Sequence, residues 1–208
     1  METLLRKVEV LKKSPVGRVV ALRIKEFKSL STASSRKIFE ELCFCILTAN
    51  FNAERAIAIQ KRIGDGFLCL PEERLSRELK SLGYRYPNTR ARYIVEARRH
   101  AGSLKKTIES AKDENELRVW LVGNVKGLGF KEASHFLRNI GFRNQAIIDF
   151  HIVDVLAKHG LAVKPKTLTP SKYLEMERIL AGLGSRLGLS LAELDLYLWY
   201  CETGKVLK

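Results

Sequence analysis

Lys131 and Asp149 are the two residues of this 208-residue chain whose types and placing could do chemistry together. Lys131 follows a glycine-spaced turn, Val125-Lys126-Gly127-Leu128-Gly129, and falls in the first turn of a helix predicted to begin near Phe130. Cations are disfavoured at that end of a helix. The same positive end, and any burial, favour the neutral amine over the ammonium. A neutral amine is a nucleophile, whereas an ammonium is not. The plain alternative is a solvated surface lysine, the commonest fate of the residue. Asp149 opens DFHIVDVLAKHG, which reads as a helix with Asp149 as its N-cap and Gly160 as its stop. Capping does not exclude a second role for that carboxylate.

The elements that must position this pair are legible around it. A short apolar segment ends at Gly123, and the turn over 124–129 joins it to the Phe130 helix. Glycines at alternating positions let the backbone take positive φ and approach a partner closely. Unpaired amides at a helix start suit an anion, phosphate above all. Lys126 adds charge to the same edge. The spacing alone also fits an ordinary helix–helix turn with no ligand. Gly141 ends the helix, a polar loop follows, and Ile147-Ile148 lead into Asp149.

The rest of the chain reads as helix throughout, with no alternating strand and no internal repeat. Helices are expected over 3–13, from Pro15 to about Lys28, and along the apolar stripe Ile38, Phe39, Leu42, Cys43, Ile46 and Leu47. Asn52 is the expected N-cap of AERAIAIQKRI, and Pro71 opens PEERLSRELKSL. The stretch from Asn88 to Ala101 is basic. Asp113 with Glu116, and Ser190 with Glu193, have capping-box spacing. Glycine and proline punctuation gives about ten short helices and no linker.

Composition limits the partners. The formal net charge is +14, which favours a polyanion through phosphate neutralisation. No amphipathic terminal helix supports a lipid surface instead. No signal peptide and no long apolar run are present, so a soluble, cytoplasmic protein is expected. Cys43, Cys45, Cys69 and Cys201 show no C-x-x-C spacing, so zinc is not expected. Lys131-Glu132-x-x-His135 lacks the first histidine of a zinc-protease helix.

These residues resemble a family. The hairpin, loop and aspartate look like the helix-hairpin-helix motif of the endonuclease III-like DNA glycosylases. KGLGFKEASHFLRNIG, AIIDFHI and the closing GKVLK resemble the archaeal-type 8-oxoguanine DNA glycosylase/lyases over essentially the whole chain. The loop over 142–148 departs from the superfamily pattern in lacking proline. The resemblance implies an all-α, two-lobed fold with the active site in the cleft between lobes. One lobe would be a bundle over 33–122; the other would join 1–32 to 123–208. Relatives often carry a four-cysteine iron–sulfur loop, but only Cys201 lies in that region, so no cluster is expected. Hairpin carbonyls could hold a monovalent cation.

The same resemblance assigns roles. Lys131 would be the nucleophile and Asp149 its acidic partner. Lys126, Gly127, Gly129 and His151 would hold the DNA backbone. Asn50 would fill the gap left in the duplex by an extruded base, although helix capping alone accounts for an asparagine there. Tyr86 would stack beside a base, ahead of Tyr84. Trp199 and the main-chain carboxylate of Lys208 would read the damaged guanine; a carboxylate suits its N1–H and N2–H₂ donors. The expected activity is base excision by nucleotide flipping, followed by Schiff-base β-elimination, by a monomer acting on damaged double-stranded DNA. A glycosylase for another oxidised base, and a non-catalytic DNA-binding hairpin module, remain alternatives.

Overall fold

The computed structural model describes all 208 residues. It contains thirteen α-helices, one 3₁₀ turn and no strand. They are α1 (Glu2–Lys12), α2 (Pro15–Leu30), α3 (Ser35–Leu47), α4 (Ala53–Ile63), α5 (Gly66–Cys69), α6 (Glu72–Ser81) and α7 (Pro87–Ala97). After the 3₁₀ turn Arg98–His100 come α8 (Leu104–Ser110), α9 (Glu114–Asn124), α10 (Phe130–Asn139), α11 (Phe150–Lys158), α12 (Pro170–Leu187) and α13 (Leu191–Thr203). The helices absent from the sequence expectation include the single turn α5 and the long α12.

The chain divides into two compact units, Leu30–Phe136 and Met1–Ser29 with Leu137–Lys208. In the first, α3 is the central helix. Every residue from Ile38 to Leu47 is buried, Glu40 and Glu41 included, which marks a helix packed on all sides. Helices α4, α5, α7 and α8 pack around it. Arg98 ties the small α5 turn down by donating to Phe67 O at 2.8 Å and Leu70 O at 2.6 Å. The sequence expectation separated the hairpin from the bundle at 122/123. The Cα packing instead groups the hairpin and Lys131 with 30–136. The hairpin packs on α7, and Arg118 of α9 donates to Ser134 of α10 at 3.3 Å.

In the other unit α13 packs with α1, α11 and α12. Arg138 is 4% exposed; it pairs with Asp195 and lies over the Phe27 ring, 4.9 Å from its centroid. Caps form where side-chain chemistry demands them. Asn52 accepts from Arg55 N at 3.0 Å. Ser190 and Glu193 make a complete capping box. Asp113 accepts from Asn115 N and Glu116 N, but Glu116 reaches back to Lys112 N at 2.7 Å rather than to its cap residue.

Candidate functional site

The hairpin begins where α9 runs out of partners. Asn124 O accepts from Arg99 Nη2 at 3.0 Å and lies 3.1 Å from His100 Nε2. Leu128 N donates to Val125 O at 3.2 Å, closing a four-residue turn with Gly127 in its third position at φ +87°. A turn of this kind requires positive φ there. A second constraint is steric: a Cβ on Gly127 would stand 2.6 Å from Tyr93 Cδ2 of α7. The Tyr93 ring lies within 5.6 Å and 5.7 Å of the Arg90 and Arg92 guanidinium carbons. Lys126 is exposed, 3.1 Å from Glu96 Oε2. We expect Gly127→Ala to cost about 1–3 kcal/mol, the usual penalty of holding a side chain at positive φ, plus a displaced Tyr93. Thermal denaturation measures the loss.

One hairpin amide differs from expectation. Gly129 N, expected to be open to an anion, donates to Glu132 Oε2 at 3.1 Å. The carboxylate in the third position of α10 reaches back to the residue before the helix, as one arm of a capping box does. That amide meets a phosphate only when Glu132 moves aside.

Lys131 is 23% exposed in the first turn of α10, with Glu132 Oε1 at 3.7 Å from Nζ. Its Nζ donates to Thr48 O at 3.5 Å. Thr48 caps the C-terminus of α3, where carbonyls lack intrahelical donors and carry the negative end of the dipole. Three successive carbonyls meet three side chains there. Leu47 O accepts from Tyr84 Oη at 2.8 Å, Thr48 O from Lys131, and Ala49 O from Arg90 Nη2 at 3.2 Å. Arg90 Nε also donates to Tyr84 Oη at 3.2 Å. Burial pushes the Tyr84 phenol up, and the Arg90 hydrogen bond opposes this in part. Asn50 comes next, exposed, and is the one non-glycine residue at positive φ, +55°. Asparagine tolerates that conformation better than most side chains. Thus Lys131 and Asn50 depend on the same turn.

Sequence reasoning missed Thr48 and Arg90 here and ranked Tyr84 behind Tyr86. Tyr84 is 4% exposed and structural; Tyr86 is 48% exposed, with Arg85 5.0 Å from its ring centroid. Tyr84→Phe leaves Leu47 O and Arg90 Nε each short of a partner. We expect a loss of about 1–3 kcal/mol, visible in the denaturation midpoint.

In the other unit Asp149 caps α11 through Oδ1, which accepts from Ile152 N at 3.0 Å. The approach to it is an irregular segment, buried from Gln145 to Ile148. Buried backbone must find partners. Ala146 N donates to Glu177 Oε2 at 2.8 Å; Ala146 O accepts from Tyr173 Oη at 2.6 Å; Ile148 N donates to Tyr173 Oη at 3.2 Å. Two α12 side chains therefore hold a segment that has no proline to stiffen it. Neither was legible in the sequence, because no local pattern links α12 to this loop.

His151, in the first turn of α11, lies edge-on to Trp199, with ring centroids 5.2 Å apart. Trp199 is half-buried, and its Nε1 is buried without a hydrogen-bond partner. Past α13, Gly204 takes φ +70° and Lys205 N donates to Thr203 Oγ1 at 3.3 Å. Lys208 is partly buried. Asp149, His151, Trp199 and Lys208 thus belong to one unit, and Asn50, Tyr86, Lys126, Gly127, Gly129 and Lys131 to the other.

The class follows from solved structures that share this frame. The chain matches the crystal structure of Methanocaldococcus jannaschii 8-oxoguanine DNA glycosylase with a TM-score of 0.96 and 52% identity, covering 100% of this chain and 97% of that one. It matches the same organism's 8-oxoguanine glycosylase/lyase, crystallised with 15mer DNA containing 8-oxoguanine, with a TM-score of 0.97 at 52% identity, over 99% of this chain and 100% of that one. The fold is that of the helix-hairpin-helix DNA glycosylases. In sequence, the chain is 53% identical to the 8-oxoguanine DNA glycosylase/AP lyase of M. jannaschii over 99% of both chains. It is 52% identical to that of Korarchaeum cryptofilum over 100% of this chain and 99% of the relative. The family profile described as 8-oxoguanine DNA glycosylase matches residues 20–189. The chain belongs to the 8-oxoguanine DNA glycosylase family. No helix is long and apolar enough to cross a membrane.

Proposed function

We propose that the protein excises 8-oxoguanine from duplex DNA and then cleaves the strand at the abasic site, as a step of base-excision repair. What carries this reading is full-length likeness to a relative crystallised with DNA containing that lesion. The excess of positive charge, +14, supports binding through phosphates without regard to sequence.

In this mechanism the damaged nucleotide leaves the stack at a cost of roughly a few kcal/mol. Asn50 fills the vacated position; its exposure at a rigidly held turn supports that role. Tyr86 stacks beside it, while Lys126, the Gly127 and Gly129 backbone and His151 hold phosphates. Trp199 and the Lys208 main-chain carboxylate contact the flipped base. The Nζ lone pair of Lys131 attacks C1′, and the C1′–N9 bond breaks with its electrons leaving on the base. Asp149 offsets the positive charge that builds on the sugar. Ring opening gives an iminium between Nζ and C1′. Loss of a C2′ proton then expels the 3′ phosphate, and hydrolysis of the imine frees Lys131. The placing of Lys131 in the first turn of α10, directly after the hairpin, supports its assignment as the attacking group.

The test is a panel of duplexes carrying different damaged bases, incubated with and without borohydride. Base release and a trapped covalent adduct specific to 8-oxoguanine are the expected results. Adducts with oxidised pyrimidines in its place would move the substrate assignment, and no adduct with any lesion would leave only a DNA-binding module.

A further inference from the structure

Only two large aromatic side chains stand exposed, Tyr86 and Phe150, and Phe150 is the more open at 66%. Scattered exposed apolar residues need no explanation by themselves. Phe150, however, has a distinct setting. It follows Asp149 directly and opens α11. Its ring lies 3.9 Å from that of His151, centroid to centroid, at 37°, and His151 in turn meets Trp199. The three rings form a row that runs from open solvent to the Trp199 indole, whose Nε1 has no partner. The outer end of the row is a bare apolar face, held in place by its neighbour.

Position decides what can cover that face. Consecutive Cα atoms are about 3.8 Å apart. A strand whose sugar reaches the Asp149 carboxylate therefore comes within reach of the next side chain. We infer that Phe150 is a DNA-contact residue, its ring covering the deoxyribose next to the nucleotide on which Asp149 acts. This rests on the function proposed above. The contact suits an enzyme that must ignore sequence: every deoxyribose offers the same C–H face, and no base edge is read. It contributes to holding DNA, not to bond breaking. Phe150 is thus a positioning residue.

The test separates binding from chemistry. In a Lys131→Gln background, which removes turnover, the affinity for an 8-oxoguanine duplex is measured with and without Phe150→Ala. About tenfold weaker binding is expected, the scale on which covering part of an aromatic ring is felt. Phe150→Tyr should restore affinity to within about twofold, since it keeps the ring. With Lys131 intact, Phe150→Ala should raise the half-saturating DNA concentration and leave the saturating single-turnover rate nearly unchanged. The denaturation midpoint of Phe150→Ala should not fall, because the ring buries little. Undiminished affinity in Phe150→Ala overturns the inference. So does a lowered midpoint shared by Phe150→Tyr, which would make the ring a structural element. The affinity measurement needs no catalysis, so failure of the lysine mechanism would show separately, as an adduct that persists in Lys131→Gln.

Discussion

Lys131→Gln is expected to abolish borohydride-dependent crosslinking to an 8-oxoguanine duplex and to lower base release by on the order of a thousandfold or more, the scale on which loss of an attacking group is felt. The amide of glutamine cannot form an iminium. The fold should tolerate the change. Lys131 is partly solvent-exposed, and its one backbone contact, to Thr48 O, is long at 3.5 Å. The carbonyls on either side keep Tyr84 and Arg90, so the α3 turn remains held. DNA affinity should fall little, because Lys126 and the basic α7 face are untouched. Denaturing gel electrophoresis after borohydride reads the adduct directly. An adduct of undiminished yield would remove Lys131 from the chemistry.

Asp149→Asn is expected to slow base release by about a hundredfold to a thousandfold, the magnitude usual for a group that stabilises developing charge. The choice of asparagine is deliberate. Asn and Asp are comparable N-caps, so Ile152 N keeps its acceptor and α11 should start where it does now. Only the charge is removed. Asp149→Ala removes the cap as well and should cost about a further 1 kcal/mol in stability. Comparing rates and denaturation midpoints across both variants separates chemistry from capping. Equal rates in the wild type and Asp149→Asn would reduce Asp149 to a cap.

What the sequence disclosed about the site was local. Asp149, Asn52 and Ser190 are visible as caps because a short polar side chain binds amides two or three residues on, whatever the rest of the chain does. Gly127 is visible because the turn needs positive φ; that a Cβ would also collide with Tyr93 is not. The family motif supplied Lys131, but nothing near it in the chain foretold Thr48, whose carbonyl owes its availability to the end of another helix. The grouping of helices into units is hard to read from sequence for the same reason. Glycines mark where helices stop, whereas grouping depends on which surfaces bury one another. Gly129 shows the opposite error: an amide that local logic left open is taken by Glu132 three residues away.

Within residues 142–148, Ala146 and Ile148 are gripped by their peptide groups as well as buried by their side chains. Tyr173 and Glu177 stand one helical turn apart on one face of α12 and clasp Ala146 and Ile148 through main-chain atoms alone. Such a clasp is blind to side-chain identity. The path of the segment leading to the acid is therefore constrained at two positions well downstream in the chain, in addition to the burial of its own side chains.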